Sequence, residues 1–315
     1  MHVPVLFDEV IQALRPRSGG RYLDCTLGGG GHTEGILNAS APDGRVLATD
    51  ADAEAIARVR ERLRDVLNNR LTLQQAWLNE APAIAQSLGF VPLDGVLVDL
   101  GLSSHQLEAA ERGFSFMRDG PLDMRFDRAQ GEPAWALIER MDVQSLTEIL
   151  REYGEVRNAR RVAEAIWKAR PILTTGQLRD VVAGVARTRS ERIHPATQVF
   201  QALRIAVNDE LRRLKEALPK LIALLRPGGR IAVITFHSLE DRIVKETFRR
   251  ESQGEVAQPG FGMGEDRPAR VRLVNKNPIR PSEAEIARNP RARSAKLRVA
   301  ERVEGERELG LKLES

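Results

Sequence analysis

Asp24-Cys25-Thr26-Leu27-Gly28-Gly29-Gly30-Gly31-His32-Thr33 is the stretch whose reading decides the fold. It closes a strand-like run, Arg21 to Thr26, and opens a short helix; the next strand-like run, Arg45 to Thr49, ends at Asp50. Consecutive glycines strip the Cβ atoms from a tight turn, so backbone can lie directly against a ligand. An acid about twenty positions further on sits at the tip of the neighbouring strand, where a carboxylate accepts the hydroxyls of a ribose. The pair reads as a nucleoside-cofactor site.

Glycine spacing selects among cofactors. In the dinucleotide pattern Gly-x-Gly-x-x-Gly, a start at Gly28 puts the third glycine on Thr33, and a start at Gly29 puts it on Glu34. The pyrophosphate signature fails in both registers, which speaks against a nicotinamide-dependent oxidoreductase. Asp24 before the glycines and Asp50 at the next strand end suit S-adenosylmethionine, which has an ammonium and a ribose but no phosphate. A glycine-rich linker without chemistry is the plain alternative, and the strand-to-helix setting argues against it.

Working outward, strand-like runs recur at Leu71 to Ala76, Gly95 to Leu100 and Arg230 to Phe236, with helical segments at Asp52 to Leu67, Glu80 to Leu88 and Asp209 to Leu225. The alternation predicts an α/β chain: a doubly wound, largely parallel sheet with helices on both faces. Far more chain separates Leu100 from Asn208 than an ordinary crossover needs, so an inserted domain is expected. The expected division is a sheet domain, 1–110 with 208–315, interrupted by a helical domain, 111–207. Ser145 to Tyr153, Asn158 to Arg170 and Thr175 to Ala186 have helical apolar spacing, Thr174-x-x-Gln177 resembles a capping box, and Pro195 opens a helix to Asn208 and beyond.

The chain has 315 residues, enough for one large or two smaller cores. No apolar run reaches the ~18 residues of a membrane span and no signal-type segment is evident, so a soluble, cytoplasmic protein is expected. Its single cysteine, Cys25, reads as a buried structural thiol. The five histidines lack metal-ligand spacing, and no metal is expected.

Asp99-Leu100-Gly101-Leu102-Ser103-Ser104-His105-Gln106 closes the fourth strand, so Asp99 should face the same crevice as Gly30 and Asp50. An exocyclic amine is a poor nucleophile while its lone pair is delocalised into the base. A carboxylate accepting a hydrogen bond from it favours rehybridisation and alignment with a methyl group; a cofactor-holding or helix-capping carboxylate is the competing reading. The fifth strand ends in Phe236-His237-Ser238-Leu239-Glu240-Asp241, where His237 and Ser238 can approach the crevice, or Ser238 caps a helix with Asp241 completing the pattern.

Charge points to the partner. The formal net charge is only +4, yet Arg267 to Arg302 holds eleven Lys or Arg residues, among them Arg291, Arg293, Lys296 and Arg298, against Glu283, Glu285 and Glu301. The stretches Arg157 to Lys168, Arg187 to Arg192 and Ile193-His194-Pro195 favour a grip on something acidic, and the tail attracts a phosphate-rich partner. Aromatic residues make up 4%, too few for a broad stacking platform, which favours backbone contacts plus one captured base.

DCTLGGGGHT, ATDAD, DLGLSSHQL with AERGFSFMRDGPLDMRFD, HPATQVFQALRIAVNDEL, RPGGRIAVITFHSLEDRIVK and NPRARSAKLRVAE run in order through nearly the whole chain. Together they closely resemble the bacterial 16S ribosomal RNA cytosine-N4 methyltransferases, the MraW/RsmH family. The resemblance implies a class I, Rossmann-like S-adenosylmethionine-dependent methyltransferase fold with a helical, substrate-recognising insert. It implies methylation of one cytidine N4 amine in the decoding region of the small ribosomal subunit. Cofactor contacts would fall on Gly30, Gly31, His32, Asp50, Trp77, Asp99 and Gln106, with Asp99, Ser104 and His237 beside the reacting base. Trp77 stands where the family commonly has phenylalanine, and an indole can also cover adenine. A homodimer and a non-catalytic ribosome-assembly role stay open at this point.

Overall fold

A computed structural model describes residues 4–66, 69–186, 194–253 and 268–304. The chain divides into two compact units, 1–101 with 211–315, and 102–210. The first begins with α1 (Phe7–Leu14), β1 (Arg21–Asp24), α2 (Gly31–Ala39), β2 (Arg45–Asp50), α3 (Ala53–Arg62), β3 (Leu71–Gln75), α4 (Ala81–Ser87) and β4 (Leu93–Asp99). The second holds α5 (Ser104–Glu108), α6 (Ala134–Arg140), α7 (Val143–Glu152), α8 (Ala159–Lys168), α9 (Thr175–Val185) and α10 (Ala196–Asn208). The chain then runs through α11 (Glu210–Leu224), β5 (Leu225–Thr235), α12 (Ser238–Gln253), β6 (Val271–Leu273), α13 (Glu283–Arg288) and β7 (Lys296–Arg302).

Alternation along the strands explains why both sheet faces are covered. Leu23, Leu47, Val96, Val98 and Val233 join one apolar core with residues of α4, α11 and α12. Their neighbours Tyr22, Val46, Ala48, Leu97, Ala232 and Ile234 join another, with α1, α2 and α3. Strand order is β3-β2-β1-β4-β5-β7-β6; β1 to β5 are parallel, and β7 is antiparallel to both β5 and β6. This is the Rossmann-like class I fold that the sequence implies. Strand order reverses at β1 and β4, which makes the carboxyl ends of these strands the topological switch point. Asp24, Asp50 and Asp99 are the last residues of β1, β2 and β4, and stand along that edge.

In the second unit Leu146, Leu150, Val162, Ile166, Leu178, Val182, Val199 and Leu203 form a buried core. The Thr174 capping box is complete: its side chain accepts from Gln177 N–H, and the Gln177 side chain accepts from the Thr174 backbone. Asp209 adopts a left-handed conformation with φ 54°, so α10 stops at Asn208 instead of continuing as the sequence suggests. Among the described residues Arg112 is one of the largest fully buried side chains; its guanidinium donates to the carbonyls of Arg125 and Phe126 and lies over the Phe114 ring. The segment AERGFSFMRDGPLDMRFD therefore wraps around one buried cation.

The basic tail differs from its sequence reading. Lys296 and Arg298 lie on β7, and both pair with Asp241, at 3.0 and 2.7 Å. Asp241 therefore ties α12 to β7 and does not complete a cap for α12. Arg280, Arg288, Arg291 and Arg293 remain exposed. Arg187 to Ile193 and Arg267 lie outside the described residues. Among the described residues, no helix is long and apolar enough to cross a membrane.

Candidate active site

The glycine turn is built from behind. Asp24 is completely buried; its Oδ2 accepts from Thr33 Oγ1 at 2.7 Å, and Oδ1 accepts from Thr26 N–H at 3.1 Å. Burial raises its carboxyl to about 6. Asp24 has no exposed surface, and its carboxylate shapes the turn from inside. Gly30, the residue before α2, has φ 75°, and a Cβ there would stand 2.9 Å from both Val59 methyl carbons. Only glycine meets both conditions. A Cβ on Gly31 would strike Pro4, whereas one on Gly29 would meet nothing within 4 Å, so the turn is open to a ligand at Gly29.

Asp50 continues the edge. Its Oδ2 accepts from Gly28 N–H at 2.7 Å and Oδ1 from Asp52 N–H at 2.9 Å, so the carboxylate is oriented while each oxygen keeps a further lone pair. Burial raises this carboxyl too, to about 6.

The tip of β4 is tied to the tip of β1 by Asp99 N–H donating to Thr26 Oγ1 at 2.6 Å. Asp99 Oδ1 is buried and has no hydrogen-bond partner among the described residues. Oδ2 stands 3.6 Å from His32 Nε2, beyond hydrogen-bond reach. Burial holds the Asp99 carboxyl well above the ordinary range, and the charges of Asp24 and Glu240 push it the same way. His32 is buried against Phe7, with ring centroids 6.0 Å apart, and burial lowers it to about 4. The nearby Val5 backbone acts in the opposite direction, outside ordinary hydrogen-bond geometry. A neutral imidazole therefore faces Asp99 at neutral pH, and offers it no counter-charge.

Trp77 follows β3 and is half-buried, with the Arg213 guanidinium 4.0 Å from its ring centroid. His237 follows β5, and its Nε2 stands 3.0 Å from Glu240 Oε1 without the alignment of a hydrogen bond. The other Glu240 oxygen accepts from the N–H groups of Phe236 and His237, at 2.7 and 3.2 Å. The residue before α12 is thus His237, and Glu240 closes the turn that the sequence assigns to Ser238 and Asp241. Sequence reasoning passes over Glu240, although an acid three residues after His237 in HSLED is the available signal.

Gly30, Gly31, His32, Asp50, Trp77, Asp99 and His237 all belong to the first unit, at the carboxyl ends of its strands or just beyond them. Ser104 and Gln106 belong to the second, on α5, where the Gln106 side-chain Oε1 accepts from Ser103 N–H to complete a capping box.

A glycine turn with an oriented acid at the next strand tip, and a second acid with a buried oxygen left unpartnered, suits a small cationic nucleoside. The MraW methylase family model matches residues 1–303. The chain belongs to that family. It is 52% identical over 307 residues to the ribosomal RNA small subunit methyltransferase H of Thermomicrobium roseum, covering 96% of this chain and 94% of that one. It is likewise 52% identical over 308 residues to the protein of the same name from Citrifermentans bemidjiense, covering 96% and 98%. Among solved structures, a putative methyltransferase from Streptococcus mutans in complex with SAH aligns with a TM-score of 0.44 at 12% identity, over 96% of this chain and 100% of that one.

The cofactor of this family is S-adenosylmethionine. The residues present fit it: Asp99 Oδ1 lacks a partner, and the backbone at Gly29 opens onto free space.

Proposed function

We propose that this protein methylates the N4 amine of one cytidine in the decoding region of 16S ribosomal RNA, acting on the small ribosomal subunit in the cytoplasm. The ribosomal RNA substrate is carried over from the relatives named above. The single observation that carries the amine chemistry is the buried, unpartnered Asp99 Oδ1 beside the glycine turn.

S-adenosylmethionine supplies an electrophilic methyl group when bound. Asp50 is assigned the ribose hydroxyls, the backbone at Gly29 to Gly31 the close approach to the cofactor, and Trp77 one face of the adenine. Asp99 accepts a hydrogen bond from the cytosine amine through its carboxylate. That contact draws the nitrogen lone pair out of conjugation with the ring and holds it in line for transfer. An ionised Asp99 accepts more strongly than a protonated one, so the reaction gains as pH rises through the elevated carboxyl pKa. His237 borders the base; the methylated amine can lose its proton to water, so no side-chain base is required. The target nucleotide must leave its stack, at a cost of a few kcal/mol, which contacts to RNA phosphates offset.

The test is mass spectrometry of 16S ribosomal RNA from cells lacking the gene. Loss of one N4-methylcytidine, restored when purified protein and S-adenosylmethionine are added to the small subunits, is expected. An unchanged nucleoside profile would overturn the reading.

A further inference from the structure

Arg213, on α11, is absent from every sequence-based assignment, yet it makes a defined contact in the site. Its guanidinium carbon lies 4.0 Å from the centroid of the Trp77 ring, well inside the range of a cation–π contact, and tryptophan is the strongest partner for one. Arg213 is itself held. Its Nη1 donates to Asn79 Oδ1 at 2.9 Å, Asn79 Nδ2 donates to Glu216 Oε2 at 3.1 Å, and Glu216 Oε1 accepts from Arg212 Nη1 at 2.5 Å. The Trp77 backbone is fixed separately, its N–H donating to Glu80 Oε2 at 2.8 Å ahead of α4.

An indole has two faces, and Arg213 covers one of them. A stacked base can therefore use only the other. Fixing the ring in advance removes the rotamer freedom that a half-buried tryptophan would otherwise lose on binding. A cation on the far face also draws π density away from the near one, which suits stacking against a second aromatic ring.

We propose that Arg213 is a positioning residue for the adenine of S-adenosylmethionine: it acts through Trp77, backing the indole so that its other face is ready for the base. The proposal rests on the assignment of Trp77 to the adenine. Arg213 is separated from the cofactor by the ring it supports, so its effect should vanish when that ring is removed. Lysine keeps the charge without the planar stack, and methionine keeps much of the bulk without the charge.

The test is a double-mutant cycle on S-adenosylhomocysteine binding, followed by calorimetry on the full-length protein, with circular dichroism to verify folding. Arg213→Met should weaken binding roughly three- to tenfold, with Arg213→Lys between it and wild type. In a Trp77→Ala background, Arg213→Met should have no further effect. A Trp135→Phe/Trp167→Phe background leaves Trp77 as the sole tryptophan. There, Arg213→Met should change the Trp77 emission of the free protein, which reports loss of the cation from the ring, while the loss of effect in the Trp77→Ala background separates positioning from a purely structural role. If Trp77→Ala weakens binding but Arg213→Met does not, or if Arg213→Met costs as much without the indole as with it, the proposal is wrong while the Trp77 assignment stands. If Trp77→Ala leaves affinity unchanged, both fall together.

Discussion

At the scale of single residues, the site is a set of carboxyls made reluctant to ionise. Asp24 and Asp50 are raised to about 6 and Asp99 well above the ordinary range, in each case chiefly by burial. A carboxyl raised in this way stabilises the fold while protonated; that contribution is complete below the ordinary carboxyl range and is lost as pH rises through the elevated value. A cationic ligand favours the ionised form. Affinity for S-adenosylmethionine should therefore strengthen between pH 5 and 7, by calorimetry, more than affinity for its uncharged-sulfur product does. Equal pH dependence for the two would contradict this account of the acids. Asp99→Asn should keep cofactor affinity within a few-fold and lower single-turnover methyl transfer roughly 100-fold. It should also remove the acidic limb of the rate profile. A wild-type rate from this variant would remove Asp99 from the chemistry.

At the scale of elements, the joint between β1 and α2 separates structural from functional glycines. Gly30→Ala places a Cβ at positive φ and against Val59, so it should cost about 1–2 kcal/mol or more in thermal unfolding. Gly29→Ala meets no protein atom within 4 Å and should leave the melting temperature unchanged while weakening cofactor binding. Unchanged binding would mean that the ligand does not lie there. This joint is legible in the sequence because its signals are local: glycines, a strand end and an acid fall within one short stretch. The same is true of α9, where Thr174 and Gln177 form both bonds of their box. Elements defined by distant partners are not legible. β7 reads as a basic tail because the partner that neutralises Lys296 and Arg298 is Asp241, on α12. α1 is anchored by Leu6 N–H donating to Glu285 Oε1 at 2.8 Å, across almost the whole sequence. Arg213 over Trp77 is a contact of the same kind, joining α11 to the segment after β3.

At the scale of the whole molecule, pairing divides the basic residues into two sets. Arg230 and Arg272 meet Glu301, Arg270 meets Glu251, and Lys296 and Arg298 meet Asp241, so these cations hold together the β5-β7-β6 side of the sheet and α12. Arg280 and Arg293 are exposed and stand available for RNA phosphates. Replacing both by alanine should weaken binding to small-subunit RNA and lower the slope of log affinity against log salt by about 1.5. An unchanged slope would move the phosphate contacts elsewhere. The central claim is more direct: the glycine turn, Asp50 and Trp77 together seat the methyl donor with its sulfur facing Asp99. A crystal structure with S-adenosylhomocysteine tests it most directly. The account predicts the ribose on Asp50, the adenine against Trp77 and the sulfur facing Asp99; a nucleoside bound elsewhere, with side chains packed over Gly29, would contradict it.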